Sequence, residues 1–309
     1  MKKILVLVLA SLFLVSSVSF AVDLSTVKMN GDFRFRYTMD QTAGNNDAFG
    51  TPRARIKLSG QVNDDLLFVI QPDFAGLATG ANVALADAYA DLKCKIGIEK
   101  TMRFGQFLVP FAYDSGKYNV IVYPSHYNVI VPDRDWGLGV LGKAMAANYF
   151  VSLTNGNRSA TDNNESKDLA AMVILPTQIA ELGLSGYYGK TGATSVQQTA
   201  YGAYVKANVL SVDALLEYVA GDNWAGTAKL SNLYLNVSKK LGEIEPLVQY
   251  QIYDADTNTA SNIVNTLTVG FNKYLDSNGS CLMLNYNIVN EETTSVDNNT
   301  LILQARVKI

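Results

Sequence analysis

The sequence predicts a transmembrane antiparallel β-barrel of about sixteen strands, with short periplasmic turns and long external loops. Three observations predict it. Segments of roughly ten residues alternate apolar and polar positions from residue 28 to the last residue, 309. Long polar connections and short ones take turns along the chain. No apolar run after residue 21 approaches the ~20 residues that a membrane helix needs.

The first 21 residues stand apart from this pattern. Lys2 and Lys3 precede the apolar run ILVLVLASLFLV (4–15), and Ser19-Phe20-Ala21 has the small-x-small form of a signal cleavage site. Residues 1–21 therefore read as a signal peptide, and 22–309 as a single barrel domain exported to the bacterial outer membrane. Removing Lys2 and Lys3 leaves 23 cations against 28 carboxylates. That acidic balance excludes a nucleic-acid binder, which needs a basic footprint. Cys94 and Cys281 are the only cysteines, too few for a disulfide-built scaffold, and read as packed or lipid-facing thiols.

The strands follow in order. In 28–37, Met29, Phe33, Phe35 and Tyr37 share one face, and Asn30, Asp32, Arg34 and Arg36 share the other. In TPRARIKLSGQV (51–62), Arg53, Arg55 and Lys57 alternate with Ala54, Ile56 and Leu58. Similar segments occupy 66–75, 83–93, 102–109, 136–143, 147–154, 168–175, 182–190, 198–209, 212–220 and 229–239. The set closes with 244–252, 264–274, 280–289 and 301–309, the last opposing Leu301, Leu303, Ala305, Val307 and Ile309 to Gln304, Arg306 and Lys308.

Short links at 63–65, 144–146, 210–211 and 241–242 suit hairpin turns. Polar stretches at 40–50, 154–167, 191–197, 221–226, 254–262 and 291–300 suit solvated loops. A soluble sheet with one wet face also alternates. It has no reason, however, to collect every long connection at one end. Closing the sheet lets the apolar faces meet lipid and pairs every backbone N–H and C=O.

The pieces RARIKLSGQVNDDLLFVIQPDFAG (53–76), DAY (87–89), RFGQFLVPF (103–111), RDWGLGV (134–140) and LTNG (153–156) have a family look. In order and spacing they resemble the phosphate-selective porin O and P family. The resemblance covers the N-terminal half; the second half matches only as barrel strands. It implies a sixteen-stranded outer-membrane barrel, usually a homotrimer, whose third external loop folds into the lumen. The segment 110–135 stands where that constriction loop belongs, and brings Lys117, His126, Asp133, Arg134 and Asp135 to it. Two departures are visible. The chain ends in Ile309 where such barrels usually place an aromatic read by the assembly machinery. The segment offers only Lys117 and Arg134 against Asp114, Asp133 and Asp135, where phosphate-specific members carry lysines.

Other patterns have plain readings. Gly137-x-Gly139-x-x-Gly142 spells a dinucleotide motif, but no helix follows it. Asp254-x-Asp256-x-Asn258 and Asp162-x-Asn164-x-Ser166 lack the glycine and final glutamate of a calcium loop. His126, the only histidine, cannot build a metal cluster or a placeable triad and reads as a polar pore-lining residue. No catalytic residue, metal or cofactor is expected. The 17 tyrosines, with Tyr37, Tyr218 and Tyr250 on apolar faces, suit interfacial girdles.

The basic residues carry the functional signal. Closing the barrel sets the last strand beside the first, so Arg34, Arg36, Arg53, Arg55, Lys57, Arg306 and Lys308 should form one basic wall. Asp73, Asp87 and Asp91 should form an acidic sector beside it. Such a separation would place a transverse field across a water-filled pore. The expected function is passive diffusion of small hydrophilic solutes, with modest anion preference. The other readings are a phosphate- or oxyanion-specific porin, and a plugged structural or adhesive barrel.

Overall fold

A computed structural model describes residues 26–309 except 43, 96–99, 114–129, 131, 159, 225–228 and 294–295. The signal-peptide expectation for 1–21 lies outside the described residues, as do Lys117 and His126. The strands are β1 (Lys28–Asp40), β2 (Ala48–Gln61), β3 (Leu66–Asp73), β4 (Ala84–Cys94), β5 (Lys100–Leu108) and β6 (Arg134–Ala144). Then come β7 (Ala147–Thr154), β8 (Asp168–Pro176), β9 (Ala180–Thr191), β10 (Val196–Val209) and β11 (Val212–Asp222). The last five are β12 (Lys229–Lys239), β13 (Ile244–Asp254), β14 (Ile263–Tyr274), β15 (Cys281–Glu291) and β16 (Thr300–Lys308).

Each strand pairs antiparallel with its sequence neighbours, and β16 returns to β1 to close the barrel. Ile309 completes that seam. Its N–H donates to the Gly31 carbonyl at 3.2 Å, and Gly31 N–H donates to the Ile309 carbonyl at 2.7 Å. Closure leaves no open sheet edge, which is the condition for crossing a bilayer with strands.

Burial in this barrel is inside out. On β13, Glu245, Gln249 and Gln251 are buried while Ile244, Val248 and Tyr250 are 44–48% exposed. The exposed apolar faces recur around the barrel, from Phe35 on β1 to Leu303 and Val307 on β16. In water such a surface would cost a great deal of hydrophobic free energy; against acyl chains it costs none. Tyr218 and Tyr250 point outward, and Tyr37 lies 4.7 Å from Phe49, ring centre to ring centre.

Short turns and long connections alternate as expected. The Leu210–Ser211 link is a two-residue hairpin turn, with φ of 53° and 61°. Two positive φ values are what the twist of a tight hairpin needs. Several strands run beyond their expected ends on the loop side: β1 to Asp40, β2 from Ala48, β15 to Glu291. Above the bilayer both faces are wet, so the alternation fades while the backbone ladder continues. The same effect shortens the connection between β9 and β10 to 192–195.

Gly137 explains the glycine motif. A Cβ there would stand 2.2 Å from the Leu153 carbonyl oxygen on β7, so the glycine permits close strand approach. Both thiols are free; Cys281 is buried beside Met283 and Ile302. No group of acidic, histidine or cysteine residues among the described ones could hold a metal ion. Asp256 instead accepts the Asn258 backbone N–H and the Thr259 hydroxyl, which hold its carboxyl below the usual range in a solvated loop.

Candidate pore wall and constriction

The closing seam gathers the basic residues on the inner face. Arg306, Arg34 and Arg53 stand directly opposite one another across β16, β1 and β2. Neighbouring strands are only ~5 Å apart, so three guanidiniums in such a row repel one another. Asp32, two residues along the same face of β1, relieves this. It accepts from Arg306 Nε and Nη2 at 3.0 Å each, from Arg34 Nη2 at 2.9 Å and from Arg53 Nη1 at 3.1 Å.

The pairing continues around the wall. Arg55 Nε lies 2.7 Å from Asp73, which also accepts the backbone N–H groups of Ala54 and Ala75. Arg103 donates to both Asp91 oxygens at 2.8 Å and sits 3.9 Å over the Tyr89 ring. Arg134 Nε lies 2.7 Å from Asp87. Arg36 donates to Gln304 Oε1 at 3.1 and 2.9 Å. Lys57 and Lys308 join no ion pair among the described residues, and together line a cavity of about 440 Å³ at the seam.

This corrects the expectation of a basic wall with an acidic sector beside it. Asp73, Asp87 and Asp91 are bonded into the arginines rather than set apart from them, and Asp32 sits at the centre of the basic row. The physical cause is local: a low-dielectric wall cannot hold unscreened guanidiniums at strand spacing. Two residues escaped the sequence reading. Asp32 is on the wet face, but its role depends on register across the seam. Arg103 shares the wet face of β5 with Thr101, a signal that alternation does carry.

The second correction concerns the segment 110–135. Arg134 and Asp135 are the first residues of β6, paired with Leu108 and Phe107. Asp135 is buried and accepts the N–H groups of Trp136 and Gly156, which makes it a turn anchor rather than a loop residue. Asp133 lies in the connection, beside Arg134 at 3.3 Å.

The described ends of that connection enter the barrel. Val109, Phe111, Ala112 and Ile130 pack with Tyr187, Val219, Trp224 and Leu230 from β9, β11, the loop after it, and β12. Ala112 N–H donates to Ser185 Oγ at 3.0 Å, Tyr113 N–H donates to Glu217, and Lys206 Nζ donates to the Tyr113 hydroxyl at 3.1 Å. Tyr113 meets Tyr204 edge-on at 5.0 Å. Gly183 makes room: a Cβ there would collide with the Tyr204 ring at 1.9 Å. A cavity of about 750 Å³ lies on the external side of this segment and one of about 830 Å³ on the periplasmic side, with Val109 lining both.

The family description that matches the chain, over residues 25–209, is phosphate-selective porin O and P. The chain belongs to that family. This porin is thus a channel of the outer membrane, and its fold has wide company among solved structures. It is similar to a Salmonella typhi OmpF complex with daunomycin, at 13% identity and TM-score 0.72 over 92% of this chain and 97% of that one. It is similar to OmpTdeltaL8 of Vibrio cholerae, a loop-deletion mutant, at 12% identity and TM-score 0.69 over 92% and 99%. An anion-selective porin from Comamonas acidovorans matches at 14% identity and TM-score 0.68 over 92% and 98%. These identities show a shared barrel and nothing finer. No curated protein matches this porin.

Proposed function

We propose that this porin passes small hydrophilic solutes by passive diffusion with a modest preference for anions. One observation carries the reading: Asp32, Asp73, Asp87 and Asp91 between them hold six inner-wall arginines, while Arg36, Lys57 and Lys308 stand outside any ion pair among the described residues. The wall keeps a positive excess, but most of its guanidiniums are tied to carboxylates. Strict phosphate recognition needs free, forked N–H donors. Here those donors already point at aspartates, which weighs against the oxyanion-specific reading.

The arginine and aspartate side chains of these pairs, apart from Arg306, keep 13–21% of their surface open. That access supports a wet passage along this wall and disfavours a plugged structural barrel. The leader-like residues 1–21 support export by a cleaved signal peptide. Homotrimer assembly in outer-membrane lipid is part of the same proposal, supported by family membership; a similar barrel, OmpT of Vibrio cholerae, is described in a trimer form.

Replacing Arg53 and Arg55 together by alanine should shift the reversal potential of the purified channel toward cations in a potassium chloride gradient. The shift should be larger at about 0.1 M salt, where screening reaches ~10 Å, than at about 1 M, where it reaches ~3 Å. Unchanged selectivity at every salt concentration would mean that the charges only keep the wall wet.

A further inference from the structure

The cavity of about 830 Å³ on the periplasmic side of the internal segment has a largely apolar wall, unlike the charged inner face of the seam. Leu141, Phe150, Met172 and Ile174 line it from β6, β7 and β8, and Phe111 closes it from the internal segment. An inner face built for water and ions has no use for such a surface, because apolar area facing water is unfavourable. Lys100, Arg103 and Lys143 also line the cavity. Arg103 is bound to both oxygens of Asp91. Lys100 and Lys143 join no ion pair among the described residues; Lys100 is half-buried and Lys143 exposed.

We propose that this cavity binds a monocarboxylate with an aromatic body, its ring against Phe150 and Met172 and its carboxylate at Lys143. Lys100 shares its face of β5 with Phe104, which is 37% exposed on the outside. Lys143 shares its face of β6 with Leu141, so one inward cation meets one negative charge. An aromatic ring removes the apolar wall from water, and a methionine sulfur beside a ring adds a favourable contact. A small hydrated anion gains nothing from that wall. The volume lies within the ~300–1,000 Å³ of ordinary small-molecule sites. The site is separate from the seam at β16, β1 and β2, so it stands whether or not the channel prefers anions.

The test is calorimetric titration of benzoate and of acetate into the detergent-solubilised full chain, against protein-free micelles. Binding is read without any need for conductance, so its failure is distinct from failure of the selectivity reading. Benzoate should bind saturably and about tenfold or more tightly than acetate, the difference that burying one ring supplies. Lys143→Gln should weaken benzoate roughly three- to tenfold. Ile174→Asn should weaken benzoate while leaving acetate unchanged, and each variant is checked for the heat-dependent gel shift of a folded barrel. Equal binding of the two acids, or folded variants that bind benzoate like the parent, would overturn the assignment.

Discussion

Replacing Asp32 by asparagine is expected to make the channel more anion-selective and the barrel less stable at once. Asp32 is the counter-charge for Arg34, Arg53 and Arg306, and Arg306 is only 4% exposed. An amide of the same shape can still accept hydrogen bonds but carries no charge. Three guanidiniums would then face one another across β16, β1 and β2. Removing one partner of a buried ion pair costs about 3–5 kcal/mol, and the low end applies here because the Asp32 side chain is 18% exposed. The temperature of the heat-dependent gel shift should fall. The reversal potential should move toward anions, opposite to the shift from removing Arg53 and Arg55. A variant with unchanged stability and selectivity would show that the shared carboxylate is incidental.

The internal segment should be separable from the wall. Phe111→Ser deletes a buried ring that packs with Tyr187 and Trp224. Large-to-small changes of buried aromatics cost about 3–5 kcal/mol. Here the loss falls on the docking of one segment, so the barrel itself should persist. Without that anchor the segment no longer holds its place between the two chambers, and single-channel conductance should rise. Its current should also become noisier, since a released loop samples more positions. Adding Ser185→Ala removes the hydroxyl that receives the Ala112 N–H and should deepen the effect. Conductance that stays at the parent value in both variants would mean the segment does not limit the passage.

The barrel was legible because a bilayer imposes period two on every strand. Met29, Phe33 and Phe35 against Asp32, Arg34 and Arg36 already assign both faces of β1, and the closed topology sets β16 beside them. Face assignment therefore came from local pattern alone. Pairing did not. Whether Arg55 meets Asp73, or Arg134 meets Asp87, depends on register across strands and on where each guanidinium turns. Period two carries neither. The docking of the internal segment left a trace that is readable only afterwards. The inward positions of β8 to β12 include Ala170, Tyr187, Ala200, Val219 and Leu230, apolar where the inward positions of β1 and β2 carry charges. A strand that is apolar on both faces inside a porin signals something packed against it. The alternation reads β6 only from Trp136, which leaves Arg134 and Asp135 in the connection; the β5 ladder claims them.

The central claim is that the charged face of the seam strands lines the path of the ions. The most direct measurement places single cysteines at positions 55, 56, 57 and 58, in a background with Cys94 and Cys281 changed to serine. Each channel is then treated in a planar bilayer with a small, charged, thiol-specific reagent. Modification should change the current through the channels carrying Arg55→Cys and Lys57→Cys, and leave the Ile56→Cys and Leu58→Cys channels unaffected. Current changes at 56 and 58 instead, with 55 and 57 silent, would mean that the strand faces the other way, since a one-residue slip turns over every side chain.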